Sequence, residues 1–113
     1  MRLRVALAIL TLAFGVSPAV GAEGPSVAQQ LYESHCAFCH GPEGKGDGVA
    51  GDALTPRPTN FTSADFWKTA TPDKLRDVVM NGKAGTAMVP FRKTLTEEQI
   101  GQLVEYVQGF APK

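Results

Sequence analysis

The chain has 113 residues, of which 43% are hydrophobic, and its 11 basic side chains balance 11 acidic ones. This length is too short for two ordinary domains, and a balanced charge gives no indication of a nucleic-acid partner. The first 22 residues hold 15 of the apolar side chains, so the other 91 residues are only about 37% hydrophobic. So short a chain with so few apolar residues has a marginal core, and we expect a further component to stabilise the fold.

The first 22 residues have the pattern of an export signal. Arg2 and Arg4 give a basic start, an almost unbroken apolar run follows from residue 5 to 16, and Pro18 interrupts it. The small residues that end at Ala22 match a signal-peptidase site, so we predict cleavage after Ala22. A retained anchor is the less favoured alternative, because about 12 apolar residues fall short of the ~20 that span a bilayer.

Cleavage would leave residues 23–113 as one mature domain. It removes two arginines, so 9 basic and 11 acidic side chains remain and the net charge becomes −2. We therefore predict a mildly acidic periplasmic domain that does not insert stably into the membrane.

The most informative motif follows the first predicted helix. Ser26 and Gln29 have capping-box spacing, which predicts a helix that runs to about Cys36. Cys36 and Cys39 are the only cysteines of the chain, and His40 follows them directly, just beyond this helix. Cys-x-x-Cys-His is the attachment sequence of c-type haem, in which two thioethers hold the macrocycle and the histidine supplies a nitrogen to the iron.

Two other chemistries fit the cysteine pair less well. A disulfide across two intervening residues closes too small a loop to add much stability, although an exchangeable one would suit a thiol oxidoreductase. Structural zinc takes a second pair of ligands elsewhere in the chain, and the only histidines, His35 and His40, adjoin the cysteines. The haem interpretation is therefore favoured, with the thiol oxidoreductase as an alternative.

The segment after the motif is a predicted loop. Residues 41–58 contain five glycines and three prolines, which excludes regular structure. Lys45 is followed by Gly46 instead of Ser or Thr, so the segment is not a phosphate-binding loop. We expect its glycines to let the backbone pass close to a flat ligand.

Three further helices are predicted, and no stretch has the pattern of a strand. A short helix is expected around Phe66 and Trp67, and a longer one from Pro72 to Asn81. The last helix begins at Thr96, where a capping box precedes apolar residues at helical spacing. The sequence thus predicts a small all-α domain of about three to five helices.

The mature chain offers three candidates for a second iron ligand. His35 precedes Cys36 on the same helix and is poorly placed to reach the opposite haem face. Met80 lies near a helix end, where packing is the commoner role of methionine. Met88 lies in an irregular loop, residues 83–94, and is favoured over its main rival Met80. If neither methionine bound iron, the open site would suit a gas-binding sensor.

The chain resembles class I bacterial cytochromes c over residues 26–110. The matching segments are residues 31–32, 36–41, 44–48, 58–61, 86–91 and 95–107. The resemblance implies one haem c bound covalently through Cys36 and Cys39, with His40 and Met88 as axial ligands. It also implies that the helices wrap around this haem and that the first and last helices cross beside it.

The resemblance carries further expectations about the residues around the haem. A loop carbonyl near Pro56 or Pro58 is expected to accept a hydrogen bond from the second ring nitrogen of His40. Arg57 and Trp67 are candidates for contacts with the haem propionates.

The expected function is electron transfer without an enzymatic activity of its own. With both axial positions filled, the iron exchanges single electrons with redox partner proteins in the periplasm. The protein is expected to be a monomer or to form transient complexes. The alternatives are an electron-transfer subunit of a larger periplasmic oxidoreductase and, less favoured, a gas-binding haem sensor.

Overall fold

The computed structural model describes residues 2–15 and 24–113. The predicted cleavage site after Ala22 lies outside the described residues. Residues 2–15 are exposed and form no helix. Within the two described ranges, no helix is long and apolar enough to cross a membrane.

The described chain is all-α, as the sequence predicts, and contains no strand in these ranges. The helices are α1 (Val27–His35), α2 (Ala37–His40), α3 (Ala64–Trp67), α4 (Pro72–Asn81) and α5 (Glu97–Gln108), with a short 3-10 turn at Gly51–Ala53.

The two helices that form the core begin at different kinds of cap. At α5 the capping box is complete, because the Thr96 hydroxyl accepts from the Gln99 N–H and the Gln99 side chain accepts from the Thr96 N–H. At α1 the Ser26 hydroxyl accepts from the Gln29 N–H, but the Gln29 side chain donates to Glu33 instead. The box predicted for α1 is therefore only half formed.

The first helix ends close to Cys36, as the sequence predicts, but His40 lies in a second helical turn that the sequence does not predict. Helix α1 ends at His35, and the chain begins a second helical turn, α2, that includes His40. The break falls at Cys36, whose backbone departs from helical geometry while its carbonyl accepts from the His40 N–H at 2.9 Å. Cys39 and His40 are therefore held on a rigid turn.

Helix α4 has the ends that its sequence predicts. The Thr71 hydroxyl accepts from the Lys74 N–H at 3.2 Å, and Gly82 ends the helix with a φ of 71°. The apolar side of α4 is only partly buried, because Leu75 and Val79 border a cavity.

The core lies mainly between α1 and α5. The ring of Tyr32 on α1 lies 5.2 Å from that of Tyr106 on α5, which confirms the expected contact of the first and last helices. The buried apolar residues are Tyr32, Phe61, Leu95, Ile100, Leu103, Val104 and Val107. Three of them, Leu103, Val104 and Val107, also line the cavity, so the core and the cavity share one wall.

Candidate functional site

One largely apolar cavity brings the predicted site residues together. Its volume is about 370 Å³, which is in the range of small-molecule and cofactor pockets. Cys36, Cys39, His40 and Met88 all line it. Of the two methionines that the structure describes, Met80 does not line the cavity and packs against the core instead.

His40 is oriented by a backbone carbonyl. Its Nδ1 lies 3.1 Å from the carbonyl oxygen of Thr59, which accepts a hydrogen bond from the protonated Nδ1 tautomer. That tautomer leaves the lone pair of Nε2 available to a metal. Burial lowers the pKa of His40, against the opposing effect of the Thr59 hydrogen bond, and so favours the neutral ring. The acceptor is the residue directly after Pro58, so the carbonyl expected near Pro56 or Pro58 is confirmed.

The glycine-rich loop connects His40 with the segment that orients it. The Gly46 N–H donates to the carbonyl of His40 at 2.7 Å, and the Phe61 N–H donates to the carbonyl of Gly44 at 2.6 Å. The buried Tyr32 hydroxyl donates to the carbonyl of Gly41 at 2.6 Å. These hydrogen bonds tie the glycine-rich loop to α1, to His40 and to the segment around Phe61. The close approach of its backbone to a flat ligand stays a prediction.

The loop that carries Met88 is closed onto the C-terminal end of α4. The Lys83 N–H donates to the carbonyl of Met88 at 3.2 Å, and the Met88 N–H donates to the Thr86 hydroxyl at 3.1 Å. At the far end of the loop, the Phe91 N–H donates to the carbonyl of Val79 at 2.9 Å. These bonds hold Met88 at the cavity, whereas Met80 belongs to the helix itself.

The two cysteines form no disulfide in the structure. Burial, with a smaller contribution from Cys39, raises the pKa of the Cys36 thiol to about 11. Exchange-active cysteines have a lowered pKa, because the thiolate is the nucleophile. The environment of Cys36 is therefore unlike that of a thiol oxidoreductase.

The donor set at the cavity suits an ion that already has most of its ligands. Within residues 2–15 and 24–113, no group of three or more His, Cys, Asp or Glu side chains could hold a metal ion. A haem iron takes four ligands from its own macrocycle and needs only one or two from the protein. The apolar walls, the thiol pair and a single oriented imidazole fit such a group.

The charged residues of the lining are all basic. Arg57, Lys74 and Lys83 border the cavity, and no acidic side chain of the described chain does. Arg57 also pairs with Asp52 at the surface. Trp67, the other candidate for a propionate contact, does not line the cavity and donates its indole N–H to the carbonyl of Phe61.

Sequence reasoning missed the role of Phe61 and did not name Thr59 as the carbonyl expected near Pro58. Thr59 supplies the carbonyl to His40, and Phe61 stacks on the His40 ring. A backbone acceptor leaves no trace in residue type, and an isolated phenylalanine in a loop has no periodicity to show what it contacts. His35, which the sequence places poorly for the opposite haem face, also lines the cavity, where its ring meets Phe91 edge-on.

Comparison with known proteins identifies the family. The model of the family described as cytochrome c oxidase, cbb3-type, subunit III matches residues 24–107. The chain belongs to this cytochrome c family. The resemblance to class I c-type cytochromes is thereby confirmed, and membership implies a haem c cofactor and a role in electron transfer.

The relatives are both separate cytochromes and parts of larger proteins. A nitrite reductase of Stutzerimonas stutzeri is 31% identical over 105 residues, which are 88% of this chain and 18% of that protein. The reducing HAO-like protein complex of Kuenenia stuttgartiensis has a TM-score of 0.67 and 28% identity, over 79% of this chain and 43% of that one. The KustC0563 c-type cytochrome has a TM-score of 0.66 and 29% identity, over 75% of this chain and 98% of that one. The chain thus spans less than half the length of the first two.

Proposed function

We propose that this protein transfers single electrons in the periplasm through one haem c. In this proposal Cys36 and Cys39 hold the haem by thioether bonds, and His40 and Met88 are its axial ligands. The observation that carries the proposal is that these four side chains, from two distant parts of the chain, line one apolar cavity. Family membership supports the cofactor and the class of function.

Each residue of the set has a distinct task. The haem supplies an iron that alternates between the ferrous and ferric states. His40 donates Nε2, while its Nδ1–H, bound to Thr59, fixes the tautomer and strengthens the ligand. A thioether from Met88 favours the reduced iron and raises the potential. With both axial positions taken by protein, outer-sphere electron transfer is the remaining chemistry.

Part of the Met88 loop lies between the cavity and the surface. Ala87 and Val89 line the cavity and are also exposed, and Val89 keeps 56% of its accessible surface. We propose that redox partners dock here, because electron exchange requires a short separation and these two residues are exposed directly beside the cavity. An exposed apolar centre beside Lys83 suits a transient contact.

A permanent place in a larger oxidoreductase is the second candidate. It is favoured by the relatives, because the matched region is a fraction of the nitrite reductase and of a chain from a multiprotein complex. In either case we propose that this chain carries electrons and that catalysis belongs to a partner. Size-exclusion chromatography of the native protein distinguishes a free carrier from a subunit.

The test is expression of the full chain in a host that matures c-type haem. We expect an exported protein that begins after Ala22, carries one haem that survives denaturation, and shows the weak red absorption band of thioether ligation when oxidised. Cys36→Ser and Cys39→Ser should each reduce covalent attachment, and the double variant should abolish it. Reactive thiols without covalent haem would support the thiol oxidoreductase instead, and CO binding by the native protein would support a sensor.

A further inference from the structure

We propose that Phe61 is a positioning residue that fixes the plane of the His40 imidazole. The inference rests on the proposed role of His40 as an axial ligand. The two ring centroids are 4.6 Å apart, and the ring planes differ by only 19°. The phenyl ring thus lies against one face of the imidazole, at the separation of stacked aromatic pairs.

Stacking supplies a constraint that the hydrogen bond to Thr59 does not. That bond runs from Nδ1 in the plane of the ring and fixes the direction in which Nε2 points. With Nδ1 hydrogen-bonded and Nε2 bound to iron, the ring can still rotate about the line that joins its two partners. A flat surface against one face opposes this rotation, and Phe61 provides it.

Phe61 is itself buried and hydrogen-bonded, so its ring can restrain the imidazole that lies against it. It is only 7% exposed. Its N–H donates to the carbonyl of Gly44 at 2.6 Å, and its carbonyl accepts from the Trp67 indole N–H at 2.6 Å. Both backbone polar groups of Phe61 are therefore hydrogen-bonded, and the Trp67 indole helps to hold Phe61 in place.

Other aromatic rings support the phenyl ring of Phe61. The Phe110 ring is parallel to it within 10° at a centroid distance of 6.4 Å, and the Phe66 ring meets it edge-on at 5.8 Å. Phe110 in turn packs against Tyr32 and Tyr106 at the contact between α1 and α5. The orientation of the His40 ring is thus coupled to the helical core and does not depend on the loop alone.

The test compares variants by electron paramagnetic resonance of the oxidised, haem-loaded protein. The position and width of the low-field signal report the orientation of the axial ligands and its spread. We expect Phe61→Leu, which keeps an apolar side chain but removes the flat face, to shift and broaden this signal. Phe61→Tyr, which keeps the flat aromatic face, should give the same signal as the parent protein.

Phe66→Leu is the matched control, since Phe66 lines the same cavity and contacts Phe61 only by its edge. Its signal should change less than that of Phe61→Leu, because the ring stacked on His40 remains. An unchanged signal in Phe61→Leu, or an equal change in Phe66→Leu, would overturn the positioning role while leaving the proposed ligands standing. A parent protein without covalent haem or without His40 on the iron would instead overturn the proposed function.

A second measurement covers the case in which Phe61→Leu does not load haem. In the reduced native protein, nuclear Overhauser contacts are expected between the ring protons of His40 and those of Phe61. Their presence supports the stack in the haem-bound state. Their absence, with both rings assigned, contradicts it.

Discussion

The α-carbon of Gly46 lies against the backbone carbonyl of Pro58, so closely that a β-carbon at position 46 would come within 2.5 Å of that oxygen. Gly46 also has a φ of 77°, which L side chains rarely adopt, and donates its N–H to His40. The glycine loop therefore lies between the motif histidine and the segment that carries Thr59. Only a residue without a side chain fits this position.

We expect Gly46→Ala to destabilise the haem-loaded protein strongly. The left-handed backbone costs about 1–2 kcal/mol for alanine, and the clash with Pro58 adds about 1–3 kcal/mol. Gly85→Ala is the matched control, because Gly85 has the same φ of 77° but a β-carbon there would meet no other atom within 4 Å. Guanidinium unfolding should show the larger loss for Gly46→Ala, and equal losses would contradict a steric role for Pro58.

We expect Met88→Ala, and not Met80→Ala, to remove the sixth iron ligand. Met88 lines the cavity, whereas Met80 packs against the core. The oxidised Met88→Ala protein should lose the weak red band, lower its reduction potential and bind CO when reduced. Met80→Ala should keep the spectrum of the parent and lose less stability than the ~2–5 kcal/mol of a fully buried methionine, because Met80 is only partly buried. The reverse pattern would show that the ligand is Met80.

We expect Tyr32→Phe to lower the free energy of unfolding by about 1–2 kcal/mol, because the carbonyl of Gly41 loses its buried donor. Tyr106→Phe should cost less, since Tyr106 is only partly buried. Both variants keep the aromatic ring, so the comparison isolates the hydroxyl. Urea or guanidinium titration at neutral pH measures both values.

The Tyr32 variant should also change the response to alkaline pH. Burial, followed by the charges of Cys36, Tyr106 and Asp47, raises the pKa of Tyr32 above its usual range. The folded state therefore keeps a proton that an unfolded tyrosine releases near pH 10, and stability falls as pH rises above that value. The difference between the parent and Tyr32→Phe should narrow above about pH 10. A gap that is independent of pH would contradict this assignment.

The two N-caps provide a fourth comparison of matched variants. Thr96→Ala removes a complete capping box from α5 and should cost about 1–2 kcal/mol. Ser26→Ala removes only one hydrogen bond, to Gln29, and should cost about 0.5–1 kcal/mol. Thermal unfolding of the haem-loaded variants ranks the two losses. A larger loss for Ser26→Ala would contradict the half-formed box at α1.

Without its haem the mature chain should be largely unfolded. The wall of the cavity includes Leu103, Val104 and Val107, which are also core residues, so an unfilled cavity leaves the core incomplete. Circular dichroism of the Cys36→Ser/Cys39→Ser double variant, produced without haem, measures the remaining helix. A cooperative unfolding transition in that protein would contradict the expectation.

Local sequence rules located the helices well. Thr71 and Gly82 mark the ends of α4, and Thr96 begins α5, as predicted, because a cap depends on residues only three or four positions away. The same rules were less accurate at α1 and at the motif. Gln29 bonds to Glu33, and Cys36 ends one helix while beginning another turn. At α1 the competing contact with Glu33, four residues along the chain, decided the outcome.

The sequence by itself determined the family, the helical class and the candidate ligands, because the spacing of Cys36, Cys39 and His40 is a local chemical requirement of attachment. Tertiary structure was needed to show that Met88, the favoured methionine, borders the cavity, to select Thr59 among the carbonyls near Pro58, and to place Phe61 against the His40 ring. These relationships join residues that are distant in the chain through a carbonyl, a ring face and a hydrogen-bonded loop. Such contacts between distant residues follow neither a periodicity nor a choice of residue type, so the sequence pattern does not reveal them.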